Sequence, residues 1–152
     1  MNRAAGAPCL TDQATGMASS VIAEIGRLLQ HLAETGETGA IDLRSLPLTE
    51  ADRAQIEQWL GHGAIHVEMD LIGRSEIWET AYAGAWWIRH RGADDRVSSE
   101  EIAICPLPDI LPTPAEDIRA AATRIQGDVE ARPLPVGAPD DPENTTQEAS
   151  HA

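Results

Sequence analysis

Aromatic residues are nearly missing from this chain: it has no phenylalanine, one tyrosine and four tryptophans. A core must therefore be built mostly from aliphatic side chains, and a hydrophobic content of 42% is ordinary for a globular protein. Basic residues are scarce too, with 11 Lys and Arg against 25 Asp and Glu, a net charge of -14. Such a chain repels phosphate backbones, which argues against a nucleic-acid partner and favours neutral or basic ones. Cysteine is limited to Cys9 and Cys105, without a CxxC pair or finger spacing, so neither a disulfide framework nor a cysteine metal site is indicated. Cys105 closes an apolar run and reads as a small buried hydrophobe rather than a nucleophile. No run approaches the roughly eighteen apolar residues that span a membrane. The start, Met1-Asn2-Arg3-Ala4-Ala5-Gly6, lacks the continuous apolar stretch of a secretory signal, so the expected compartment is the cytoplasm.

What is present is concentrated. Trp78, Tyr82, Trp86 and Trp87 fall in one short segment, interleaved with Arg74, Glu76, Glu79, Arg89 and His90. Read as two strands, the segment sets Glu76, Trp78, Thr80 and Tyr82 on one face and Ser75, Ile77 and Glu79 on the other. On the next strand Trp86, Ile88 and His90 oppose Trp87, Arg89 and Arg91. The adjacent tryptophans therefore point in opposite directions. Either both are structural, one in the core and one under a helix or tail, or one joins an aromatic–Arg–Glu strip on an open sheet face. Trp, Tyr and Arg dominate protein interfaces, so the second reading makes Arg74, Glu76, Trp78, Glu79, Tyr82, Trp86, Trp87 and Arg89 candidate partner-binding residues.

The length allows one domain. Residues 1–16 are small and polar and read as flexible. Residues 127–152 combine prolines and acids with few large apolar groups and read as a disordered acidic tail. The expected folded region is 17–126, of α+β class. Val21, Ile22, Ile25, Leu28, Leu29 and Leu32 share one helix face, with Ser19 or Ser20 as cap and Gly36 as stop. Ile41 and Leu43 mark a short extended segment. Thr49-Glu50-Ala51-Asp52 has the form of a capping box opening a second helix with Ile56, Trp59 and Leu60 as its buried stripe. Ile65 to Leu71 then alternate as a strand, and further strands are expected over about 75–81, 85–91 and 101–105. Their short connections predict a four-stranded antiparallel meander. A third helix is expected from Thr113 or Pro114 to Ile125, and the Pro106–Pro112 stretch reads as an extended strut.

No residue set reads as a catalytic site. Glu76 and Glu79 fall on opposite strand faces, which argues against an acid–base pair. His62 and His66 are four apart, but Gly61 and Gly63 break any helix that would give that spacing meaning for a metal. His66 and His90 lie on different strands and, with Glu76, form the alternative reading of a metal-binding or small catalytic protein. A structural dimerisation module, a homodimer through the outer sheet face, is a further alternative. No phosphate loop, GxSxG or HExxH motif is present.

The blocks Gly36-Glu37-Thr38-Gly39-Ala40-Ile41-Asp42-Leu43, Leu46-Pro47-Leu48, Leu60-Gly61-His62-Gly63, Gly73-Arg74-Ser75-Glu76-Ile77-Trp78-Glu79-Thr80 and Gly84-Ala85-Trp86-Trp87-Ile88-Arg89-His90 occur in this order. Together they resemble the conserved C-terminal region of the HupH/HyaF hydrogenase expression proteins, over about residues 20 to 111. The resemblance implies a cytoplasmic accessory protein for nickel–iron hydrogenase maturation, a chaperone rather than an enzyme. It implies a hydrogenase subunit precursor as client, the iron–sulfur small subunit favoured and held before twin-arginine export. A thioredoxin-like accessory protein is the implied partner. The large subunit and other assembly factors remain open as clients. The chain departs from longer members, which carry more sequence ahead of this region. No cofactor, metal or catalytic residue is carried over.

Overall fold

The computed structural model describes residues 13–137, in two compact units divided between Leu111 and Pro112. Residues 1–12 of the expected flexible start, with Cys9, and 138–152 of the expected acidic tail lie outside the described residues.

The first unit opens with α1 (Met17–Thr35), whose apolar face buries Ala18, Val21 and Ile25. It starts earlier than the serine caps imply. Gly16 takes the N-cap position without a side-chain bond, and Ser19 lies inside the helix, donating its hydroxyl to the Gly16 carbonyl at 3.0 Å. Gly36 closes the helix at φ 76°, its N–H on the Leu32 carbonyl. After the short strand β1 (Gly39–Asp42) comes α2 (Glu50–Leu60). Its capping box forms as the sequence implies: Asp52 N–H donates to Thr49 Oγ1 at 3.1 Å and Thr49 N–H to Asp52 Oδ2 at 3.0 Å. Asp52 also accepts the N–H and hydroxyl of Thr15, both at 2.8 Å, so residues 13–16 are tied to the fold rather than loose.

Four strands follow: β2 (His66–Leu71), β3 (Gly73–Glu79), β4 (Ala85–Arg91) and β5 (Val97–Ile104). They form the expected antiparallel meander. The sheet has five strands rather than four, in the order β1-β5-β4-β3-β2, because the Ile41 segment pairs with the far edge of β5. Four residues are too few to announce a strand from alternation alone, and its partner lies some sixty residues further along the chain.

Alternation divides the sheet into two covered faces. Trp78, Ala85, Trp87, Ile102 and Ile104 pack under α1 and α2 with Leu43, Ile56 and Leu60. Ile77, Trp86, Ile88, Ala103 and Cys105 form a second cluster with Val67, Met69 and Leu111. The stretch after β5 supplies that cover: Pro108 is buried, and the Cys105 carbonyl accepts the Trp86 indole N–H at 3.1 Å.

The second unit holds α3 (Ala115–Ala131), with Pro114 at its N-cap. It runs past residue 126, where the tail was expected to begin. None of its residues is buried, and Ile118, Ile125 and Val129 are each more than half exposed. Among the described residues no helix is long and apolar enough to cross a membrane.

Candidate functional site

The tryptophan-rich hairpin is mostly interior. Trp78 is 3% exposed, Trp86 2% and Trp87 0%. The open-face strip expected from the sequence is therefore closed at its three tryptophans, and the structural reading holds for both adjacent tryptophans. Trp78 and Trp87 stack at 5.4 Å beneath the helices, and the Arg89 guanidinium lies over both rings, 5.2 and 5.7 Å from their centroids. His62 stacks on Trp78 at 5.0 Å, and His66 meets its edge at 6.4 Å.

Around this column the charges pair with each other. Arg89 is 17% exposed and contacts Glu100 at 2.6 Å, Glu57 of α2 at 3.1 Å and Glu76 at 4.0 Å. Burial opposes the Arg89 charge, but bonds from Glu100 and Glu57 overcome it and raise its pKa. Arg74 bonds Glu68 at 2.8 Å, and Arg91 lies 3.6 Å from Glu76. Glu79 sits on the opposite face from Glu76, as alternation requires, and accepts the Gly84 N–H at 3.3 Å. The histidine alternative divides in the same way. His66, Glu68 and Glu76 bring ligand atoms within 4.8 Å of one another, but Arg74 and Arg91 already hold the two carboxylates. His90 is on the other face, its Nδ1 2.7 Å from the Ser75 hydroxyl, so it does not join that cluster.

The aromatics on display are Tyr82, which the sequence singled out, and Trp59, which it assigned to the buried stripe of α2. Trp59 is 54% exposed and Tyr82 42%. Their rings stack at 5.2 Å with an interplanar angle of 4°. The loop between β3 and β4 fixes this pair. Ala81 N–H donates to the Leu60 carbonyl at 2.9 Å, tying the loop to the end of α2. Buried Thr80 accepts the Tyr82 N–H at 3.2 Å and returns its hydroxyl to the Tyr82 carbonyl at 3.1 Å. Gly84 turns the chain at φ 86°, where a side chain is disfavoured.

Trp59 also walls a groove of about 890 Å³ between α1 and α2, lined besides by Ala18, Ser19, Ile22, Ala23, Gln55 and Gln58. No lining residue is charged, in a chain whose net charge is -14. The signal for it in the sequence is the spacing of α2: Ile56 and Leu60 lie four apart and face the core, while Trp59 and Gln55 share the neighbouring stripe. Uncharged lining and exposed aromatics are features that suit contact with another protein.

Comparison with known proteins places this arrangement in a family. The chain is 28% identical to the hydrogenase expression/formation protein HupH of Rhodobacter capsulatus over 96 residues, and 29% identical to the hydrogenase-1 operon protein HyaF of Escherichia coli over 99. These matches cover 63% and 64% of this chain but only 35% of each relative, so the chain spans about a third of the curated relatives it matches. The solved structure of the hydrogenase expression protein HupH from Thiobacillus denitrificans superposes with a TM-score of 0.76 at 35% identity, covering 79% of this chain and all of that one. The family model for the C-terminal conserved region of the HupH hydrogenase expression protein matches residues 16–131, from the N-cap of α1 to the last turn of α3, and the chain belongs to that family.

Proposed function

We propose that this chain is a non-catalytic accessory protein of hydrogenase maturation, acting in the cytoplasm as a chaperone for a hydrogenase subunit precursor. The small subunit is the favoured client, with another assembly factor as the second choice and a thioredoxin-like accessory protein as a co-partner. The setting is supported by the relatives, which are named for hydrogenase expression and formation. The observation that carries binding is the exposed Trp59–Tyr82 stack bordering the uncharged groove. Two rigid aromatic rings already held by the scaffold lose little freedom when a partner covers them, the condition under which aromatic anchors contribute most.

The test is quantitative affinity capture of the full chain from cells producing the hydrogenase subunit precursors. Wild-type protein is expected to retain the small-subunit precursor. Trp59→Ala and Tyr82→Ala are expected to reduce that capture by roughly tenfold or more without lowering the melting temperature, as truncation of an interface anchor does. Trp87→Ala is not informative about the surface, because Trp87 is fully buried and its loss damages the core. Equal capture by wild type and both surface variants removes the assignment to this groove. Capture of no hydrogenase subunit or assembly factor by the wild type removes the functional reading itself.

A further inference from the structure

Among the described residues the sheet ends at β2, which pairs with β3 and has no strand on its other side. The phase of its hydrogen bonds is fixed by Glu79 N–H donating to the Ile65 carbonyl at 3.0 Å. In an antiparallel ladder residues alternate between bonding the partner strand and facing away from it. The register His66↔Trp78, Val67↔Ile77 therefore turns Val67 and Met69 backbone groups toward β3 and leaves those of His66, Glu68 and Asp70 facing outward. The side chains of all three are exposed. The edge carries no proline, lysine or bulge, and its only charged residues are the acids Glu68 and Asp70, which bar a like-charged strand but not a basic one. Exposed apolar residues bracket it, Ile65 at 45% and Ile72 at 95%.

Charge selects among possible occupants. Glu68 and Asp70 project on one face of the edge; Arg74 of β3 pairs with Glu68 at 2.8 Å, while Asp70 has no ion-pair partner among the described residues, so the edge keeps an acidic excess. Every two-fold register that keeps both acids inside a β2–β2 pairing sets carboxylate against carboxylate, which disfavours a second copy. An acidic strand is rejected for the same reason. A strand with basic residues opposite Glu68 and Asp70 is admitted, and its alternate side chains then fall beside half-buried Val67 and Met69.

We propose that β2 is a strand-accepting edge for an extended peptide alternating basic and apolar residues. It is a second contact surface within the binding role argued above, and it rests on that role only for its biological setting. The probe is a capped fluorescent peptide of about eight residues alternating arginine and valine, a usual strand length, titrated by anisotropy against the full chain. Three comparison peptides accompany it: glutamate in place of arginine, N-methylation of alternate amides in one phase, and N-methylation in the other. Saturable binding of the Arg/Val peptide is expected, with the Glu/Val peptide at least about tenfold weaker. One N-methylated phase is expected to lose binding and the other to retain it, since only one set of amides faces the edge. Glu68→Lys/Asp70→Lys protein is expected to prefer the Glu/Val peptide. No saturable binding, equal binding of both methylated phases, or a dimer by light scattering that excludes the peptide each overturns the proposal. Unchanged peptide binding by Trp59→Ala separates this edge from the groove, so either can fail alone.

Discussion

Asp52 shows how much a single side chain can organise here. It has no exposed surface, and its two oxygens take the backbone amides of Thr15 and Thr49 and the Thr15 hydroxyl. Burial alone raises a carboxyl pKa, but these donors outweigh it and bring Asp52 from 3.8 down to about 2. A depressed pKa contributes stability that is complete above the unfolded value and is lost as pH falls through the folded one. The melting-temperature gap between wild type and Asp52→Asn is therefore expected to be widest above about pH 4 and to close toward about pH 2. A gap that is constant over this range refutes the assignment. The capping box was legible because its two partners lie three residues apart. The bond to Thr15 was not, because nothing local distinguishes that threonine from its neighbours in a polar stretch. Cys105 was read correctly as an interior group: it is 8% exposed, and burial, with Asp109 and Glu101 nearby, raises its thiol pKa.

At the scale of elements, the meander was legible because alternation and short turns are local signals. Burial on the second face was not. Trp86 and Trp87 had to point apart, but only the path of residues 106–111 decides that Trp86 is covered, and a proline-ruled stretch gives no periodicity from which to read its path. Trp59 was misplaced for a related reason, since Ile56, Trp59 and Leu60 fit one stripe until the packing of α1 fixes how α2 is turned. The charge strip was seen as a set of residue types, but its closure by α2 was not. Glu57 and Arg53 reach down from that helix to Arg89 and Glu100, which is 4% exposed. Removing Arg89 leaves Glu100 buried with only Arg53 at 3.6 Å. Arg89→Ala is expected to destabilise the fold by about 3–5 kcal/mol, because the buried Glu100 charge is then compensated only by the longer Arg53 contact. Arg89→Ala/Glu100→Gln is expected to recover part of this in denaturant unfolding. If the double variant is less stable than the single by the full cost of Glu100→Gln alone, the two side chains are not coupled.

At the scale of the whole molecule, the specific pairs and the net charge act in opposite directions. All eleven basic residues are arginine, and most of those described sit within bonding distance of a carboxylate. These bridges are mostly exposed, so each contributes little and is weakened by salt. The excess of acids remains after every pairing, and its self-repulsion acts against the compact state. Screening lowers that repulsion between all the acidic groups at once, whereas it removes only small terms from the exposed bridges. The half-buried Arg89 network is shielded from solvent and is screened least. Raising sodium chloride from about 20 mM to about 500 mM, which shortens the screening length from roughly 20 Å to roughly 4 Å, is therefore expected to raise the melting temperature. The same change is expected to weaken capture of the arginine–valine peptide at β2, since the attraction there is between opposite charges. A melting temperature that falls with salt would mean that the ion pairs, not the net charge, dominate the electrostatics of this fold.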